Sequence, residues 1–202
     1  VSLFYKKFDQ PIEKVIVPVQ SGAFIPSYTF ENATNGAFNY GIEIEIRKKL
    51  GFISSYLRDL AFNGNITFVN SEVNLEGLEI GSSETTRRLQ GQSPYLLNLG
   101  LFYDNYDYGL SVNLLYNRFG ERIAEVGKIG FSDVVEQGRN VIDFSITKSF
   151  LNRFEAKFAI KDILAEDQIF LQEFELNGQK YNKEVLKYSY GTNYGLSLSY
   201  KF

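Results

Sequence analysis

In stretch after stretch of this chain, apolar and polar side chains alternate residue by residue. Ile42, Ile44 and Ile46 are interleaved with Glu43, Glu45 and Arg47. Successive side chains of a strand point to opposite faces, and only a period of two separates three isoleucines from three charges in this way. Phe62, Gly64, Ile66 and Phe68 stand against Asn63, Asn65 and Thr67. Tyr95, Leu97, Leu99, Leu101 and Tyr103 stand against Asn98, Gly100 and Asp104. Leu110, Val112, Leu114 and Tyr116 oppose Ser111, Asn113 and Asn117. Ile142, Phe144, Ile146 and Phe150 oppose Asp143, Ser145 and Thr147. Phe154, Ala156, Phe158 and Ile160 oppose Glu155, Lys157 and Lys161. The chain ends on Tyr194, Leu196, Leu198, Tyr200 and Phe202 against Gly195, Ser197, Ser199 and Lys201. At its start Val1, Leu3 and Tyr5 stand against Ser2, Phe4 and Lys6, and Phe4 leaves the face of that strand open. Together these segments predict about eight strands.

The connections alternate in length. Asp104-Asn105-Tyr106-Asp107 and Leu151-Asn152-Arg153 are tight turns, whereas residues 75–92, 120–138 and 164–187 are longer, polar and glycine-containing. Leu50, Ile53, Leu57 and Leu60 have helical spacing and predict a short helix in one turn. Phe154 and Phe158 are also four apart, but the tight turn before them and the alternation around them favour a strand. A soluble sheet with one greasy side needs a matching core. A membrane barrel turns that side to lipid and its polar side to a wet lumen, with short turns on one rim and long loops on the other. If Phe202 ends at the periplasmic rim, the tight turns fall there and the long loops outside.

Composition narrows the chemistry. The 202 residues contain no Cys, His, Met or Trp. No disulfide framework and no usual zinc or copper site is available. A Ser-His-Asp triad is impossible, and no catalysis is expected. Aromatic residues reach 16%, nearly all of them Phe and Tyr, which suits strands and the girdles of membrane barrels. The net charge of -3 gives no reason to expect nucleic acid as a partner. No apolar run approaches the length of a transmembrane helix. A mean hydropathy of -0.18 does not separate soluble from membrane protein here, because barrels spread hydrophobicity over alternate positions. The chain opens on Val1 in what reads as a strand, so a processed or truncated chain is expected.

The terminal segment, with its aromatic last residue, resembles the last strand of Gram-negative outer-membrane proteins. That resemblance implies that Tyr194, Leu196, Leu198, Tyr200 and Phe202 form the signal read by the barrel-assembly machinery, beside a plainer role as interfacial anchors. Further blocks are Tyr40-Gly41-Ile42-Glu43-Ile44-Glu45, Leu89-Gln90-Gly91-Gln92-Ser93-Pro94-Tyr95 and Leu115-Tyr116-Asn117-Arg118-Phe119-Gly120. Arg139-Asn140-Val141-Ile142-Asp143, Lys161-Asp162-Ile163-Leu164 and Tyr200-Lys201-Phe202 complete the series. In this order and spacing they resemble the C-terminal part of TonB-dependent outer-membrane receptors, most closely the Bacteroidetes-type branch. The resemblance implies an all-β fold: an antiparallel transmembrane segment of about eight strands, the last third of a 22-stranded barrel with a plugged lumen. Residues 1–202 are then one C-terminal barrel domain, without the plug, the earlier strands or the TonB-contacting segment.

The resemblance also implies the function, which is uptake of a scarce nutrient across the outer membrane of a Gram-negative bacterium. Its partners are outer-membrane lipid, the rest of the barrel and its plug, TonB through the absent N-terminal region, and a surface lipoprotein. No cofactor and no metal is implied. Two alternatives stay open: a folding substrate or structural partner held by the assembly machinery through β-augmentation, and a self-contained barrel of eight strands. Glu43, Glu45, Arg47, Asp143, Glu155, Lys157 and Lys161 are candidate lumen-facing residues, as ligands for substrate or plug or as an ordinary salt-bridged wet interior. Arg87-Arg88 is either an anion site or a solvated pair, and residues 169–181 either contact a partner or extend the strands.

Overall fold

The computed structural model describes residues 1–17, 27–75, 85–128 and 131–202. In chain order the strands are β1 (Ser2–Phe8), β2 (Ile12–Val17), β3 (Ser27–Asn32), β4 (Ala37–Lys49) and β5 (Leu60–Asn74). Next come β6 (Thr86–Arg87), β7 (Tyr95–Asn105), β8 (Leu110–Phe119), β9 (Arg122–Glu125) and β10 (Val134–Glu136). The last are β11 (Asn140–Phe150), β12 (Phe154–Lys161), β13 (Gln168–Leu176), β14 (Gln179–Tyr188) and β15 (Asn193–Tyr200). The eight segments of strict alternation are β1, β4, β5, β7, β8, β11, β12 and β15, and these form one antiparallel wall in that order, with β6 attached to β5.

Register decides whether alternating strands make an alternating wall, because a slip of one residue would send a strand's apolar set to the wrong face. Ile44 faces Ile66, Ile66 faces Leu97, and Leu101 faces Leu114. Leu114 faces Phe144, Phe144 faces Ile160, and Ile160 faces Tyr194. Every apolar set therefore lies on one side of the wall. The open face of β1 is settled by Leu3 opposite Ile42, which puts Phe4 on the polar side opposite Gly41. The Phe4 ring lies over that glycine. A Cβ at Gly41 would come within 2.6 Å of Phe4 Cζ and closer still to the Phe68 carbonyl. Gly41→Ala should lower wall stability by about 1–3 kcal/mol, read as a fall in unfolding temperature, because backbone cannot move aside here.

Among the described residues, those of the apolar face remain widely exposed. Leu196 and Leu198 are 72% and 74% exposed, and Leu114 and Phe158 about 40%. Small buried clusters sit instead at the long-connection end of the wall and past it: Ala33, Ala37, Val73 and Leu75 in one, Val15, Ile123 and Val126 in the other. A soluble sandwich would bury its greasy face first, so this inverted distribution fits a sheet whose solvent on that side is lipid. Among the described residues β1 and β15 each pair on one side only and not with one another, which leaves the wall with two free edges there.

The rim of short turns holds residues 50–59, 106–109 and 151–153. The helix expected near Leu50 is two 3-10 turns, Leu50–Phe52 and Ser55–Leu57. The turn expected at Asp104 lies two residues later. Asp104 and Asn105 stay in β7 because Asp104 N donates to the Asp59 carbonyl, while Asn105 holds Asp59 with its amide and caps Tyr108 N with its carbonyl.

The described parts of the long connections carry regular strands despite their polarity. β9, β10, β13 and β14 form a second antiparallel sheet in the order β14-β13-β10-β9. Each of these strands leads directly into or out of β8, β11, β12 or β15, so the sheet continues four wall strands in the same lateral order. The β13–β14 turn is Asn177-Gly178 with φ of 53° and 75°, the left-handed pair that a two-residue hairpin needs. β2 and β3 form a separate hairpin.

Candidate functional site

All seven residues expected in the lumen share the wall's polar face. Glu43, Glu45 and Arg47 face Thr67, Asn65 and Asn63 across β4 and β5. Asp143 on β11 faces Leu115, Lys157 on β12 faces Thr147 and Ser197, and Glu155 faces Ser149 and Ser199. Lys161 faces Asn193. A cavity of about 290 Å³ lies against this face and takes in Glu45 and Asp143. Glu43 and Arg47 sit at its margin, where Glu43 accepts from Asn65 (2.5 Å) and Arg47 pairs with Glu45 (2.5 Å). Glu155, Lys157 and Lys161 do not line it.

Sequence alternation alone did not single out the amides of this cavity. Asn65, Asn98 and Asn117 fall in one cross-strand row, and Asn117 Nδ2 donates to Asn98 Oδ1 at 2.6 Å. Phe102 and Leu115 supply an apolar floor. The Phe102 ring covers Gly100, where a Cβ would sit 2.5 Å from it. Two carboxylates, a row of amides and an apolar floor are equipment for binding. Among the described residues no group of three His, Cys, Asp or Glu side chains is placed to hold a metal.

At the rim of long connections, three of the sequence blocks meet. Arg139 and Asp162, each with a side chain 11% exposed, pair at 2.7 Å. Asp162 adopts a φ of 55°, and its N–H donates to Asp143 Oδ1 while its carbonyl accepts from Thr192. Asn140 donates its backbone and side-chain N–H groups to the Glu166 carboxylate. Burial pushes the Glu166 carboxyl up, but the Asn140 hydrogen bonds and the charges of Arg118 and Arg139 outweigh it and hold the group below the usual carboxylate range. On the apolar side, Arg118 donates to Tyr95 Oη (3.0 Å) and Asn140 Oδ1 (2.7 Å), and Tyr116 Oη donates to the same Asn140 oxygen. This clasp joins β7, β8 and β11 to the corners where the second sheet leaves the wall.

A second clasp centres on Gln90. Its carbonyl accepts from Lys14 N (2.7 Å) and its amide donates to the carbonyls of Lys14 (3.0 Å) and Ala124 (2.7 Å). Gly91 N donates to Ile123 O, and Ile16 N to Val126 O. Arg87 is neither a solvated charge nor an anion site. It forms a bidentate pair with Glu13, the two side chains being 10% and 5% exposed. Arg88 pairs with Glu121 at 3.0 Å. Both partners lie far off in sequence, beyond the reach of any local pattern. Residues 169–181 extend the strands as β13 and the start of β14, with Phe174 and Tyr181 stacked 5.5 Å apart.

Tyr194, Leu196, Leu198 and Tyr200 lie along the apolar face of β15, the edge strand. Tyr200 packs on Phe154 (5.0 Å), and Phe202 stands edge-on to Tyr200 (5.1 Å) just past the strand.

A family profile described as TonB dependent receptor-like, beta-barrel, matches residues 1–161. Neither curated proteins nor solved structures gave a match. Receptors of this family are transporters of the Gram-negative outer membrane that work with a plug and with TonB, and they are not an enzyme family. An antiparallel wall with its apolar sets gathered on one face, matched over most of its length by this profile, makes the chain a member of the TonB-dependent receptor family and a portion of its β-barrel.

Proposed function

We propose that this chain is the last third of a 22-stranded receptor barrel that carries a scarce nutrient, such as an iron chelate, a cofactor, an oligosaccharide or a peptide, across the outer membrane. The observation that carries the reading is the unbroken register of eight alternating strands ending in two unpaired edges. Bare edges and a broad greasy face are not tolerated in lipid, so further strands of the same receptor complete the wall. The polar face then lines the lumen and meets the plug, with the Glu45–Asp143 cavity in the path of substrate. The rim of long connections points outward, where a surface lipoprotein meets the hairpins, and the C-terminus is periplasmic. Tyr194, Leu196, Leu198, Tyr200 and Phe202 serve as the assembly signal.

Transport is tested by deleting the gene and following uptake of labelled iron chelates, cofactors, oligosaccharides and peptides. Loss of one class, dependent on TonB, supports the reading; unchanged uptake of every class overturns it. The faces have their own test. These 202 residues contain no Cys, so labelling of an introduced cysteine is read against the parent receptor as background. Asn113→Cys should react with a water-soluble maleimide in intact outer membranes, and Leu114→Cys should be shielded by lipid. Deleting Phe202 should reduce the heat-modifiable, folded band on gels. Undiminished assembly would remove the signal role from that residue.

A further inference from the structure

The arginines at 87 and 88 are committed to Glu13 and Glu121, but a third arginine stands on the other side of the wall. Arg118 faces Leu97 and Asn140 in register, which places it on the apolar face. Along β8 that face runs Leu110, Val112, Leu114, Tyr116, Arg118. Eight residues of strand cover about 27 Å, or about 20 Å of height at the tilt of a membrane barrel. Lys148 faces Leu110 at the short-turn end, so cations bracket the greasy stretch at both ends. Arg118 is therefore at the level where hydrocarbon gives way to headgroups.

Its surroundings are built for an anion. Arg118 Nε and Nη1 donate to neutral oxygens, Tyr95 Oη and Asn140 Oδ1, so the guanidinium is oriented without being neutralised by a hydrogen-bonded carboxylate among the described residues. Glu166 takes its hydrogen bonds from the N–H groups of Asn140. Arg139 is matched by Asp162. Tyr95 and Tyr116 flank the guanidinium, and such rings favour the headgroup boundary. Leu97 opposite Arg118, Ile142 opposite Tyr116 and Leu114 one step further down β8 offer an apolar surface for acyl chains.

We infer that Arg118, oriented by Tyr95 and Asn140, binds the phosphate of a membrane-lipid headgroup at the rim of long connections. A planar guanidinium suits this task because two parallel N–H groups match two phosphate oxygens. The inference rests on the proposed contact of the apolar face with lipid. Bound there, the lipid would pin its chains against β7, β8 and β11 beside the clasp.

The test uses the intact receptor purified from outer membranes and native mass spectrometry of retained lipid. The probes are phosphatidic acid and diacylglycerol with the same acyl chains. Phosphatidic acid should be retained over diacylglycerol, and Arg118→Gln should cut its retention roughly tenfold, the loss of a charge-assisted hydrogen-bonding group. Arg118→Lys should recover part of it, and Tyr95→Phe should weaken it while leaving the charge. Heat-modifiable gel mobility verifies that each variant is folded, and Tyr95→Phe carries the test if Arg118→Gln does not fold. Equal retention of the two lipids, or a phosphate preference that persists in both Arg118→Gln and Tyr95→Phe, overturns the inference. Displacement of phosphatidic acid by an equal concentration of inorganic phosphate overturns it in favour of a soluble-anion site. Should Leu114→Cys react with the water-soluble maleimide, the lipid contact itself fails. A shielded Leu114→Cys with no phosphate preference sinks the headgroup site alone.

Discussion

Arg139→Leu should destabilise the rim of long connections by about 3–5 kcal/mol, because it leaves the Asp162 carboxylate enclosed without its partner. The loss extends beyond one ion pair. Asp162 sits at the corner between β12 and β13, gives its N–H to Asp143 and takes a hydrogen bond from Thr192 ahead of β15. Arg139 Nη1 also donates to the Glu166 carbonyl at 3.1 Å. Freed of this clasp, the β13–β14 hairpin should be cut by protease in folded receptor at a far higher rate than in the parent. The double change Arg139→Leu with Asp162→Asn should recover much of the loss. Asparagine carries no charge and tolerates the left-handed backbone that Asp162 adopts at φ 55°. A single variant as protease-resistant as the parent would mean that the pair does not hold the corner.

Leu114→Arg should cost about 2–4 kcal/mol in lipid, and Asn113→Arg, one residue earlier, within about 1 kcal/mol. Leu114 is midway between Leu110 and Arg118 on the apolar face, and β8 is paired on both sides, so its side chain has no route to water along a free edge. Asn113 faces the polar side and donates to Ser145 Oγ at 3.2 Å, where an added charge keeps its hydration. Leu198 is a weaker test position, because it shares a row with Ala156, Lys148 and Leu110 near the short-turn end. Equilibrium unfolding of both variants in lipid vesicles reads the difference directly. Reversed costs would mean that the faces have been exchanged.

The wall was legible from alternation because lipid imposes a simple rule: every second side chain along a spanning strand must be apolar. Ile42-Glu43-Ile44-Glu45 obeys it without any knowledge of neighbours. The strands beyond the wall obey no such rule. β9 and β10 are only 4 and 3 residues long, too short for a period to register. β13 and β14 mix polar and apolar residues on both sides, with a bulge between Phe170 and Leu171 that breaks the alternation across the pair. Asn177-Gly178 is the local signal that marks them as a hairpin.

What the amino-acid order determined by itself is the wall's eight strands and, for all but β1, the residues on each of their two faces. Local pattern sufficed because each strand meets the same two solvents. Tertiary structure alone decided which polar residues come together. It joined Glu13 to Arg87 and Asp162 to Arg139, set Asn65, Asn98 and Asn117 in one row, and left Arg118 facing the greasy side without a hydrogen-bonded carboxylate among the described residues. Those partnerships depend on register and on how connections fold back over the rim, and charges distant in sequence find each other only after the strands have paired.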